Sequence, residues 1–248
     1  MADPDRQIVT VADAAEMAQA AAERMMARMG GRDRRIAICL TGGSSPKQLY
    51  RLLASDAYRS RIPWERVHWF IGDERYVPAN DPLSNMGEAR RIVLDQCAPA
   101  SNIHAVPTVA TDPDDSAERY ARTLKSFYGA DALSPERPLF DLVLMGAGAD
   151  GHTASLFPGD AALDETARWV VGVPKVHLEP FVPRVTLTLP TLGSCREMLF
   201  EVAGSEKRAI LTRLFNGENL PANRARSIGG QTVWLIDHAA RPESFRGQ

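Results

Sequence analysis

Ile36-Ala37-Ile38-Cys39-Leu40-Thr41-Gly42-Gly43-Ser44-Ser45-Pro46 is the stretch on which the fold turns. Its first half is an unbroken apolar run, as expected of a strand covered on both faces. Its second half is a glycine turn that runs straight into a helix start. Ser45 fits an N-cap, Pro46 the first helical position and Gln48 the return partner of a capping box, which predicts a helix over Pro46 to Ala54. Working outward, the same alternation recurs. Strands are predicted at Ile36 to Thr41, Val67 to Ile71, Phe140 to Met145, Trp169 to Val173, Val185 to Leu189, Met198 to Val202 and Thr232 to Ile236. Their Val, Ile, Leu and aromatic content suits central strands. Helices are predicted at Val11 to about Met29, Ser84 to Cys97, Asp114 to Tyr128, Ser205 to Phe215 and just after Asp237. In the first of these, Ala14, Ala18, Ala21, Met25 and Met29 form an apolar stripe and Gly30-Gly31 ends the helix. Strands alternating with helices predict an α/β fold: a doubly wound, mainly parallel sheet with helices on both faces.

The 248 residues are 44% hydrophobic and 24% charged, with a formal net charge of -2. These are globular proportions, and the charge gives no electrostatic reason to expect nucleic acid or an anionic membrane as partner. An anionic ligand must therefore be met locally. Cys39, Cys97 and Cys195 lie far apart with no C-x-x-C pair, so neither a disulfide framework nor a zinc knuckle is expected, and Cys39 reads as a small buried hydrophobe. Asp3 and Asp5 stand where a secretory leader would be basic, and no run approaches the ~18 apolar residues of a membrane span. The expectation is a cytoplasmic chain. The segments Ser134 to Pro138 and Leu178 to Pro183 are too short for linkers, so residues 1–248 are read as a single domain. Asp112, Asp114 and Asp115 read as a dipole-favoured helix start on a solvated face.

Ligands of open α/β sheets bind beyond the carboxyl ends of the strands, and three loops there carry chemistry. Thr41 to Pro46 combines glycines that permit close approach with the N–H groups of a helix start and the hydroxyls of Ser44 and Ser45. A phosphate fits it, as does a plain tight turn. It has neither dinucleotide nor Walker spacing. Gly72-Asp73-Glu74-Arg75-Tyr76-Val77-Pro78 sets three charges at a strand end. Arg75 can clamp a phosphate or carboxylate, the alternative being a surface turn with local ion pairs. Asp73 and Glu74 lack the His or Cys partners that would indicate a metal. The third loop runs from Gly146 to Gly159, where His152 follows Asp150-Gly151 in a glycine-rich turn. A carboxylate there can orient an imidazole that works near neutrality. Ser155 lacks the flanks of a nucleophile elbow. Arg184, Lys207 and Arg208 either add positive charge to the same ligand or are ordinary surface cations.

Together these loops, with Asp81, Ser84-Asn85, Pro183 to Thr188, Gly204-Ser205-Glu206-Lys207, Leu220-Pro221-Ala222 and Val233 to Asp237, resemble the 6-phosphogluconolactonase family over nearly the whole chain, in order. The family's common S-G-G-S-T-P appears here as Thr41 to Pro46, with a hydroxyl kept at both changed positions. The resemblance implies a Rossmann-like fold shared with glucosamine-6-phosphate deaminases. It also implies hydrolysis of 6-phospho-D-glucono-1,5-lactone to 6-phospho-D-gluconate in the oxidative pentose phosphate pathway, with no metal or organic cofactor. By the family pattern His152 is the general base with Asp150 beside it. Gly43, Ser44, Ser45, Asp73, Arg75, Arg184 and Lys207 are expected to hold the phosphosugar lactone. Two rivals stand against this reading: an aminosugar-phosphate deaminase, disfavoured by Arg75 and by the T-A-S-L-F-P-G run after His152, and a non-catalytic phosphosugar sensor, which has no need of His152 or Asp150.

Overall fold

The computed structural model of the chain describes residues 6–30 and 34–243. Asp3, Asp5 and Gly31, used above, lie outside the described residues. Along the chain run β1 (Arg6–Val11), α1 (Ala14–Met29), β2 (Ile36–Leu40), α2 (Ser44–Ala54), β3 (Val67–Ile71), β4 (Asp73–Arg75), α3 (Asn85–Ala89), α4 (Pro113–Tyr128), β5 (Leu142–Met145), β6 (Val170–Val173), β7 (Arg184–Leu187), β8 (Glu197–Val202), α5 (Arg208–Phe215) and β9 (Gln231–Asp237), with shorter helical turns between them. Six strands form one parallel sheet in the order β1-β9-β8-β5-β2-β3. β2, β5 and β8 are buried at every position, which requires cover on both faces. The core spreads from Met17, Ala21 and Met25 of α1 across the sheet, where Phe200 and Trp234 stack with ring centroids 3.9 Å apart. No helix among the described residues is long and apolar enough to cross a membrane.

The strand order fixes where a ligand can sit. From β2 the chain moves outward to its neighbour β3, whereas from β5 it moves the other way to β8. β2 and β5 are adjacent, so the crevice between their carboxyl ends is the topological switch point of the sheet. The loops beginning at Thr41 and at Gly146 border it.

Several predicted elements differ in the structure. Trp169 to Val173 and Val185 to Leu189 were expected in the central sheet. As β6 and β7 they instead form a separate three-stranded antiparallel sheet, in the order β4-β7-β6. An apolar run reports burial, and burial alone does not distinguish one sheet from another. β4 occupies residues expected in a loop: Gly72 donates to Leu40 O of the large sheet and accepts from Leu187 N, carrying the chain from one sheet to the other. β1 was missed because it is a half-exposed edge strand, and it claims Val11 from the predicted first helix. That helix starts at Ala14, capped by Asp13, whose carboxylate accepts from the N–H groups of Ala15 and Glu16. Ser84, expected as the first residue of a helix, is instead the N-cap of α3, and the helical run continues through a π turn, Arg90–Leu94, to Cys97. Asp112 caps α4. Residues 238–240 form a turn rather than the helix expected after Asp237.

The start of α2 also differs. Its N-cap is Gly43, at φ +116°, and no side chain caps it. Ser44 and Ser45 are therefore the first helical residues, and the box expected of Ser45 and Gln48 does not form. Glycine alone accepts that φ without strain, so the chain enters the helix two residues early. Proline is tolerated at the third position because first-turn N–H groups have no helical partner to lose.

Candidate active site

This early start leaves the N–H groups of the first turn of α2 unspent at the switch point, with neither serine hydroxyl committed to a cap. Gly42 is needed for a different reason from Gly43. A Cβ there would run into the side-chain amide of Asn85, which donates from Nδ2 to Asp73 O at 3.0 Å. The loop after β2 is thus pressed directly against β4 and the start of α3.

Because β4 is a strand, its three charges alternate between faces. Glu74 points away from the crevice and binds the start of α3. Its carboxylate accepts from Asn85 N at 2.7 Å, Met86 N at 2.9 Å, Arg75 N at 2.8 Å and Ser84 Oγ at 3.1 Å. Burial pushes its pKa up, opposed by those backbone donors. Its work is structural, and the expectation that all three charges face the ligand is corrected by the pleat. Asp73 and Arg75 share the other face. Asp73 Oδ2 accepts from Ser155 Oγ at 2.6 Å, tying β4 to the turn after β5. Arg75 donates one Nη1 bond to Leu83 O at 3.0 Å, while its Nε is buried without a partner.

The loop after β5 is built around one close approach. Asp150 Oδ1 receives the main-chain N–H of His152 at 3.1 Å and lies 2.6 Å from its Nδ1. A carboxylate acceptor there draws the Nδ1 proton towards itself and leaves Nε2 as the ring nitrogen not engaged by Asp150. Gly148 permits this, since a Cβ at that position would land on the imidazole. Gly151 turns at φ +89° against Leu220, and Thr153 donates its hydroxyl to Gly146 O at 2.8 Å. Phe157 packs against the imidazole, with centroids 4.9 Å apart. Ser155 donates to Asp73, and no hydrogen bond joins it to the imidazole.

One cleft of about 340 Å³ gathers Gly43, Ser44, Ser45, Asp73, Arg75, His152 and Lys207. Larger hollows elsewhere on the surface lie away from these residues. Lys207 donates from Nζ to Ala147 O at 2.9 Å. Asp150 stands behind His152 rather than in the lining. Arg184 is not in the lining either: it is buried and donates to Val182 O at 2.7 Å and Pro180 O at 2.8 Å. It lies opposite Arg75 in the β4–β7 register, and burial, with Arg75 adding to it, pulls its pKa down. Asp73 and Glu74 act on Arg184 in the opposite sense, so the two like charges across the strand pair are partly offset within the protein. Arg208 donates to Ala239 O, outside the cleft. Among the lining residues that the sequence reading did not assign to the site are Asn85, Glu179 and Glu201. For Glu201 the signal was a carboxylate inside the otherwise apolar run Met198 to Val202. Among the described residues, no group of three or more His, Cys, Asp or Glu side chains is arranged to hold a metal ion.

Residues 12–234 match the model of the family described as glucosamine-6-phosphate isomerases/6-phosphogluconolactonase. A 6-phosphogluconolactonase from Synechocystis sp. is 42% identical over 207 residues, covering 82% of each chain. The solved 6-phosphogluconolactonase from Trypanosoma cruzi superposes with a TM-score of 0.84 at 28% identity, covering 95% of each chain. A monomeric glucosamine-6-phosphate deaminase, at 18% identity, has a TM-score of 0.79 over 94% of this chain and 98% of its own, a likeness of fold alone. The chain belongs to the glucosamine-6-phosphate isomerase/6-phosphogluconolactonase family.

Proposed function

We propose that this chain hydrolyses 6-phospho-D-glucono-1,5-lactone to 6-phospho-D-gluconate, the lactonase step of the oxidative pentose phosphate pathway, with His152 as general base. The observation that carries the proposal is the meeting of an Asp150-oriented imidazole and an unspent helix start in one cleft, flanked by Arg75 and Lys207. A lactone is an activated ester that water already attacks slowly, so no covalent nucleophile is needed. His152 Nε2 takes a proton from water as the water oxygen bonds to C1. The tetrahedral oxyanion then collapses with cleavage of the C1–O5 bond, and the imidazolium returns the proton to O5. Asp150 holds the ring and stabilises its charged form.

The other end of the cleft suits the phosphate. Gly43, Ser44 and Ser45 offer N–H and hydroxyl donors at the positive end of α2. Arg75 and Lys207 supply charge, and Arg184 reinforces Arg75 from behind while bracing the loop that carries Glu179. Asp73 is suited to accept from a sugar hydroxyl. Anchoring the phosphate orients C1 for attack. The site draws on loops from residue 41 to residue 207, which supports reading the chain as one catalytic domain. We assign it to the cytoplasm, because a charged phosphosugar does not cross a bilayer unaided.

His152→Asn tests the mechanism. It should keep the fold and lower kcat by about 10²- to 10⁴-fold once the spontaneous reaction is subtracted. Turnover near that of the parent in the folded variant would assign the base to another group.

A further inference from the structure

Glu201 is 4% exposed, yet it lines the cleft beside Val202, Ala203, Lys207 and the start of α2, and neither of its carboxylate oxygens has a hydrogen-bond partner. It is the one buried carboxylate in that state among the described residues. No cation is paired with it, although Lys207 and Arg75 line the same cleft. Its register partner on β9 is Leu235. From α2, the Tyr50 hydroxyl is already spent on Thr41, donating to its carbonyl and accepting from its N–H, while Lys47 pairs with Glu88. Lys207 donates to Ala147 O, and the remaining titratable groups of the lining are Asp73, Arg75, His152 and Glu179. A carboxylate buried without partners is costly, and the group relieves that cost by keeping its proton. Burial alone pushes Glu201 up to about 8.

A protonated carboxyl is a hydrogen-bond donor, whereas an ionised one only accepts. Beside a helix start suited to a phosphate, the ionised form would repel the ligand and the neutral form would bind it. We propose that Glu201 is a substrate-binding residue that meets the phosphate end of the substrate as an un-ionised carboxylic acid, donating its proton into a hydrogen bond with a phosphate oxygen. The proposal rests on reading the cleft as a phosphosugar site, and it makes ligand affinity depend on a group remote from His152. Deprotonation of Glu201 removes the donor and adds a repelling charge, so affinity falls as pH rises through about 8.

The test is calorimetric titration of the stable product 6-phosphogluconate into the parent, Glu201→Gln and Glu201→Met between pH 6.5 and 9. Glutamine keeps a donor that does not titrate, and the parent-to-Gln ratio of Kd cancels the titrations of His152 and of the ligand. The ratio should be constant below pH 7 and rise to about tenfold at pH 9. Methionine, with similar bulk and no donor, should bind about tenfold or more weakly at pH 7. A ratio that stays flat across the range, or a methionine variant that binds like the parent, overturns the role of Glu201 while leaving the site intact. A ratio that falls with pH overturns it in favour of an ionised acceptor. Failure of the parent to bind 6-phosphogluconate at any pH overturns this proposal and the phosphosugar reading together. Thermal unfolding of each variant verifies that the fold is retained.

Discussion

Arg75 is partly unsatisfied in the cleft and the Glu201 carboxylate wholly so, and the two make opposite predictions. Arg75 has a buried Nε without a partner and a neighbouring cation in Arg184, the state of a guanidinium arranged for an anion. Arg75→Ala should lower kcat/KM for the 6-phosphorylated lactone on the order of tenfold to a hundredfold, since a charge-assisted bond contributes roughly 1.5–3 kcal/mol. The unphosphorylated lactone should be a poor substrate for both proteins and suffer little further. Equal losses on both lactones would put Arg75 at the reacting end. Glu201 instead costs stability. Its folded pKa is raised from 4.5 to about 8, so the folded state holds a proton that the unfolded state has released. Stability therefore falls as pH rises through that window, by about 1.4 kcal/mol per pH unit, and the penalty is absent below it. Glu201→Gln should be more stable than the parent, with an advantage that grows from pH 5 to pH 8 in urea unfolding. An advantage independent of pH would mean that the carboxyl ionises freely in the folded protein.

The elements that build the cleft are fixed by backbone approach more than by side-chain identity. Gly148 lies where a Cβ would displace the imidazole, in a loop outside the buried strands. Gly148→Ala should therefore cost about 100-fold or more in turnover while shifting the unfolding midpoint little; a variant with normal turnover would show that His152 has another productive position. The same elements explain what the sequence made legible. Loops after β2 and β5 announced themselves because glycines, a histidine and a strand end coincide, and their residues do meet in one cleft. β4 was read as a loop because Asp73-Glu74-Arg75 has no apolar face. Its pairing with β7 is a tertiary event that no local pattern records. For that reason Glu74 was grouped with its neighbours, although the pleat turns it to cap α3. The Ser45 cap failed because two rules competed for the same turn, and the positive φ available to Gly43 began the helix first. Glu201 passed unseen within a run whose apolar neighbours marked it as strand.

Across the whole molecule, the parallel order β1-β9-β8-β5-β2-β3 puts the switch point between β2 and β5, and the antiparallel sheet brings Asp73 and Arg75 to its rim. A monomeric glucosamine-6-phosphate deaminase has the same fold, so the frame alone does not choose the reaction. On the reading proposed above, the choice comes from the residues brought to it: Arg75 at the rim and the Thr153 to Gly159 run that follows the Asp150-held imidazole. The measurement that tests this most directly offers the purified protein two substrates under the same conditions, following acid release from 6-phosphogluconolactone above its spontaneous rate and ammonia release from glucosamine 6-phosphate. Rapid acid release without ammonia, lost in His152→Asn, is the predicted result. Ammonia release, or acid release no faster than in buffer, would contradict it.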